Sequence, residues 1–157
     1  MRIYFAADHA GFEMKNALIE FVKEFGFEVE DCGAYELNPD DDYPEFVKKA
    51  AQAVSNSAKA TLDKSDKPDE ARAIVLGGSG QGEDMVADKF SGVRSAVYYG
   101  GNLEIIKLSR EHNDANVLSL GARFLTLDEA KEAVRLWLET EFSGEERHKR
   151  RIDEIED

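Results

Sequence analysis

Val75-Leu76-Gly77-Gly78-Ser79-Gly80-Gln81-Gly82-Glu83 runs an apolar strand into four glycines and a serine, with a carboxylate directly after. Glycine places no Cβ in the way, so several backbone N–H groups of such a loop can approach a developing negative charge. Glu83 opens the next helix beside whatever binds there, a suitable position for a general base. The same residues also read as a tight strand-to-helix turn with a capping acid. Their company favours chemistry: Asp8-His9 after the first strand, His112-Asn113 later, and a basic cluster near the C-terminus.

Outward from this loop the chain alternates short apolar runs with amphipathic stretches. Residues 3–7 read as a buried strand, followed by a helix in which Phe12, Leu18, Phe21, Val22 and Phe25 share a face until Gly26. Residues 27–32 give a second strand, and a helix from about Pro44 buries Phe46, Val47, Ala50, Ala51 and Val54. Residues 55–70 are polar and read as a helix end plus a surface loop. Strands are expected at 71–76, 93–99 and 116–120, with helices over 83–90 and 102–112, the latter capped by Asn102. Two capping boxes, Thr126 with Glu129 and Ser143 with Glu146, start two further helices. Strands separated by helices indicate a mostly parallel sheet of about five strands. The expected class is a doubly wound, Rossmann-like three-layer α/β/α sandwich, one domain over residues 1–157.

The 157 residues suffice for a sizeable core, and the net charge of −13 argues against nucleic acid and anionic membrane as partners. A small anionic substrate needs only a local positive pocket. One cysteine, Cys32, allows no internal disulfide and fits a reducing compartment; the early polar residues do not read as a signal peptide. No apolar run approaches the roughly 20 residues of a membrane span, so a cytoplasmic protein is expected. His9, His112 and His148 show no short ligand spacing, so no metal is expected. The glycine loop lacks the Lys-Ser/Thr ending of a P-loop, and a dinucleotide fingerprint belongs after the first strand instead.

In doubly wound sheets, ligands sit outside the carboxyl ends of strands whose crossovers leave to opposite faces. If strands one and three are neighbours, Asp8-His9 and residues 77–83 border one crevice, with Asp42-Tyr43 as a wall. His112-Asn113 ends a helix just before strand five and belongs elsewhere in the same subunit. If it works at that crevice, a neighbouring subunit supplies it, which suggests a twofold dimer with shared sites.

Asp8-His9-Ala10-Gly11-Phe12, Asp42-Tyr43-Pro44, Gly78-Ser79-Gly80-Gln81-Gly82, Arg110-Glu111-His112-Asn113-Asp114-Ala115-Asn116 and Arg147-His148 with Arg151 occur in this order. Together, over nearly the whole chain, they resemble the ribose-5-phosphate isomerase B family, which includes galactose-6-phosphate and allose-6-phosphate isomerases. The 55–70 segment is longer than that family usually shows. The resemblance implies cofactor-free aldose–ketose interconversion of a sugar phosphate through a cis-enediolate, by a homodimer or homotetramer. One branch places a cysteine base at the position of Gly77, and the other a glutamate at the position of Glu83. This chain looks like the glutamate branch.

On that resemblance Glu83 is the base. The helix N-terminus favours its charged form and exclusion of water its neutral one. Amides of Gly78, Gly80 and Gly82, the Ser79 hydroxyl and Asn113 are donors for the enediolate oxygens. Asp8 and His112 are the ring-opening pair. For Asp8 the competing reading is a helix N-cap, and for His112 a helix C-terminus interacting with the dipole. The phosphate is met by His9, Arg147 and Arg151, with Arg110 and Arg123 as further possibilities and Arg123 reaching across a dimer interface. Arg147 and Arg151 are four apart and share a helix face, though Asp153, Glu154 and Glu156 equally allow surface ion pairs. Tyr43 is a substrate contact, Tyr98-Tyr99 are a substrate wall or strand packing, and His148 is structural.

Overall fold

In a computed structural model, residues 1–62 and 70–156 are described. Five strands form one parallel sheet: β1 (Arg2–Ala7), β2 (Glu28–Asp31), β3 (Ala71–Gly77), β4 (Ser95–Tyr98) and β5 (Val117–Gly121), in the order β2-β1-β3-β5-β4. The helices are α1 (Phe12–Glu24), α2 (Tyr43–Leu62), α3 (Gln81–Ala87), α4 (Glu104–Glu111), α5 (Leu127–Glu139) and α6 (Glu146–Glu156). The α/β/α expectation and the strand count hold.

Central β3 is buried along its whole length, and its side chains alternate between two cores. Ile74 and Leu76 join Ile3, Phe5, Leu18, Val22, Ile106, Leu118, Val134 and Trp137 beneath α1, α4 and α5. Ala73 and Val75 join Val47, Ala50, Ala51, Val54 and Ala87 beneath α2 and α3. Strands β1 and β3 are in register from Arg2 against Ala71 to Ala7 against Leu76. The helices leaving them, α1 and α3, pack on opposite faces, so a crevice opens between their carboxyl ends.

Local expectations fare unevenly. Thr126 and Glu129 form the reciprocal capping box at α5. The second box does not form: Gly144, at φ 69°, turns the chain, and Ser143 Oγ accepts from the Glu145 amide at 3.4 Å. Helix α4 starts at Glu104 with Leu103 at its N-cap and no side-chain cap there. Asn102, expected as the cap, lies one residue earlier and accepts from the Glu104 amide at 2.9 Å. Helix α3 begins at Gln81, so Glu83 lies inside its first turn. The helix end expected within 55–70 is the last part of α2; the loop expected after it falls on 63–69, outside the described residues. Among the described residues no helix is long and apolar enough to cross a membrane.

Candidate active site

The carboxyl end of β3 carries the glycine loop, and hydrogen bonds on its carbonyls fix its path. Gly77 and Gly78 carbonyls accept from the amides of Ala122 and Arg123 at 2.8 and 3.1 Å. The Gly80 carbonyl accepts from the buried Ser119 hydroxyl at 2.6 Å. Gly80 itself is at φ 77°, a conformation that costs a residue with a Cβ and costs glycine little. Ser79 Oγ accepts weakly from the Gln81 amide at 3.3 Å, which leaves its proton to donate elsewhere.

Glu83 turns back from α3 and lies against Gly77. The fit is close enough that a Cβ on Gly77 would overlap the carboxylate. Glu83 is 3% exposed. Burial raises its carboxyl above the ordinary range and the Asp8 charge adds to that, against a hydrogen bond from its own backbone amide. Of the two opposing influences expected at this position, exclusion of water prevails.

A cleft of about 430 Å³ opens in front, lined by Asp8, Tyr43, Gly78, Ser79, Gly82, Glu83, Arg123 and Phe124. Strand β1 delivers Asp8, whose Oδ1 accepts from the amides of Ala10 and Gly11 at 2.9 and 3.3 Å. It is therefore a turn cap as well as a cleft carboxylate. Tyr43, at the start of α2, lies over Gly82, and the Arg123 guanidinium lies over Gly78. Arg123 thus reaches the cleft of its own chain, where a reach across an interface was expected. Phe124 escaped the sequence reading; it is 64% exposed and meets Tyr99 edge-on at 6.3 Å. Tyr98 instead packs into the core, with its hydroxyl donating to the Gly101 carbonyl at 3.2 Å.

His9 sits beside Asp8, and both its amide and its ring Nδ1 meet Asp41 Oδ1, at 2.9 and 2.8 Å. Asp8, His9 and Asp41 offer ligand atoms within 4.8 Å of one another and are, among the described residues, the group whose donors would suit a cation. His9 and Asp41 already bond to each other there.

The remaining residues gather near the amino ends of β4 and β5. His112 caps the end of α4 and stacks on buried His148, ring centroids 4.2 Å apart. Burial lowers His148 basicity, and neighbouring His112 and Arg147 lower it further. Asn113 lines a separate hollow of about 300 Å³ with Asp88, Arg94 and Ser109. Arg147 and Arg151 are exposed on α6, Arg147 pairing with Glu145 at 2.8 Å. Arg110 is corrected outright. It is 2% exposed and binds Asp114, the Ala115 carbonyl and the Thr140 carbonyl, so it braces the α4–β5 corner. Cys32 is also buried, and its thiol is pushed up to about 11, chiefly by burial and then by Glu30 and Asp31.

The chain matches the ribose/galactose isomerase family over residues 3–155. It is 39% identical to ribose-5-phosphate isomerase B from Mycobacterium leprae, over 98% of this chain and 86% of that one. Its fold superposes on ribose-5-phosphate isomerase B from Mycoplasma genitalium with bound ribulose-5-phosphate, at a TM-score of 0.88. The two are 34% identical, over 99% of this chain and 93% of that one. The Clostridium thermocellum enzyme gives 0.85 at 40% identity, over 99% and 95%. With the family match over residues 3–155 and these identities over nearly the whole chain, this chain belongs to the ribose/galactose isomerase family.

Proposed function

We propose that the chain interconverts ribose 5-phosphate and ribulose 5-phosphate, with Glu83 moving the proton. The carrying observation is the Glu83 carboxylate, buried against Gly77 yet lining a cleft open to substrate. A cysteine side chain at position 77 would need the space the carboxylate fills, so the site has room for one base of the two. The relative with bound ribulose-5-phosphate supports a five-carbon substrate.

In the open-chain aldose, Glu83 takes the proton from C2 and electrons move onto the C1 oxygen, giving the cis-enediolate. The same carboxyl returns the proton to C1 as the C2 hydroxyl proton moves to the C1 oxygen, leaving a C2 ketone. Ser79 and the amides of Gly78, Gly80 and Gly82 stabilise the oxygens as charge develops. A raised carboxyl suits a group that must first accept and then donate near neutral pH. Asp8, through the oxygen not capping its turn, assists ring opening.

His112, Asn113, Arg147 and Arg151 act at the cleft of a second subunit. Their absence from the lining of their own cleft supports a homodimer with shared sites, as do exposed Met85, Tyr99 and Phe124. The single buried cysteine agrees with a cytoplasmic setting. The test is isomerisation of four-, five- and six-carbon aldose phosphates by wild type and Glu83→Gln. Turnover of ribose 5-phosphate that collapses in the folded variant is expected. No turnover of any sugar would leave a sugar-phosphate-binding module.

A further inference from the structure

We infer that Asp41 is the positioning residue for His9, fixing which ring nitrogen faces the substrate phosphate. This rests on the isomerase reading above. The Asp41 side chain is 7% exposed and the His9 side chain 29%, so a buried acid backs a ring that solvent and ligand can reach. One oxygen, Asp41 Oδ1, receives both the His9 amide and the ring Nδ1, which ties the ring to its own backbone at two points. A carboxylate only accepts, so Nδ1 carries the shared proton and Nε2 is the nitrogen left for a ligand. A phosphate at Nε2 would then leave the ring held between two acceptors, Asp41 on one side and the ligand on the other.

The support for Asp41 is itself fastened. The Asn38 carbonyl accepts from the Asp41 amide at 3.2 Å, and the Asn38 side chain accepts from the Asp40 amide at 3.1 Å. At the base of the same loop, Lys15 Nζ holds the Ala34 carbonyl at 2.7 Å. Among the described residues Asp41 Oδ2 is buried with no partner, and the bonds its side chain makes there, both through Oδ1, serve His9. A loop built only for solvation would not bury an acid to hold a half-exposed ring.

Asp41→Ala and Asp41→Asn, each made in wild type and in His9→Ala, separate positioning from general support. Asp41→Ala is expected to raise KM for ribose 5-phosphate about tenfold, the scale of one lost charge-assisted hydrogen bond, with kcat falling less than about threefold. Asp41→Asn keeps the acceptor at Oδ1 and should restore most of the loss. In His9→Ala, Asp41→Ala should add less than about twofold, because the ring it held is gone. Independent, multiplying losses would overturn the proposal, as would an unchanged KM. Nitrogen-15 spectra of the histidine rings, with inorganic phosphate as probe, read the same point without turnover. Wild-type His9 should hold its proton on Nδ1 and shift at Nε2 with phosphate, whereas folded Asp41→Ala should show mixed tautomers. An unaltered ring spectrum in that variant would sink the role of Asp41. Absence of turnover by wild type would instead sink the isomerase reading, and the ring spectra would still decide Asp41.

Discussion

Gly77→Ala isolates the one contact on which the proposed chemistry depends. A Cβ at this position would stand 2.6 Å from Glu83 Oε2, with Cδ and Oε1 closer still. Ordinary non-bonded contact begins near 3.4 Å, so the carboxylate must retreat by roughly 1 Å or more. The obstacle is the end of a side chain, and Gly77 is not at positive φ, so alanine is acceptable to the backbone and the fold should survive. A misplacement of about 1 Å in a reacting group costs on the order of 100-fold in rate, or about 2.7 kcal/mol of barrier. The expected result is therefore kcat for ribose 5-phosphate reduced about 100-fold, with KM and the thermal midpoint nearly unchanged. The assay is coupled isomerisation beside a thermal melt. Retention of kcat within about threefold in the folded variant would refute the claim that Glu83 must occupy this niche.

Three further outcomes follow from the geometry. Lys15 is fully buried and binds both Asp31 oxygens, at 2.6 and 2.7 Å, so Lys15→Met should lose about 2 kcal/mol in denaturant unfolding. That is below the ~3–5 kcal/mol of a fully buried pair because Asp31 keeps water; unchanged stability would contradict the clamp. Because burial raises the Glu83 carboxyl, the native state holds its proton more tightly than the unfolded chain, and the charged form costs stability at higher pH. Glu83→Gln should thus be more stable than wild type at neutral pH, with the gain vanishing as pH falls below about 4, where the unfolded group also is protonated. A gain that grows towards acid, measured by unfolding across that range, would contradict the sign. Mixing inactive Glu83→Gln and His112→Ala subunits should recover activity in hybrid dimers; confirmed hybrids without activity would contradict shared sites.

Periodicity made the layers legible, because α1, α2 and α5 each bury one apolar face and β3 is buried throughout. Asp8 and the glycine loop were expected to share a crevice on the condition that strands one and three were neighbours, and β1 does pair with β3. The displacement of His112 from the crevice could be read from its place before β5. Other features depend on contacts that no local pattern encodes. Arg110 looks like any helical arginine until Trp137, 5.9 Å beneath its guanidinium, and the carbonyls of 115 and 140 enclose it. Asp41 lies in a run of three acids that reads as a solvated loop, and its partner is 32 residues away. Ser143 and Glu146 have capping-box spacing, but the positive φ of Gly144 breaks the geometry that the spacing assumes. The DDDYP run and the Phe after Arg123 were the available signals for Asp41 and Phe124, and both are weak without the fold.

Proton exchange in deuterated water tests the central claim most directly. During wild-type turnover, nuclear magnetic resonance should detect deuterium entering C2 of ribose 5-phosphate and C1 of ribulose 5-phosphate. In Glu83→Gln, folded and still binding phosphate, that incorporation should slow by about 10²–10⁴-fold, the range for loss of a positioned acid–base group. Incorporation at the wild-type rate would mean that another residue moves the proton, and Glu83 would not be the base.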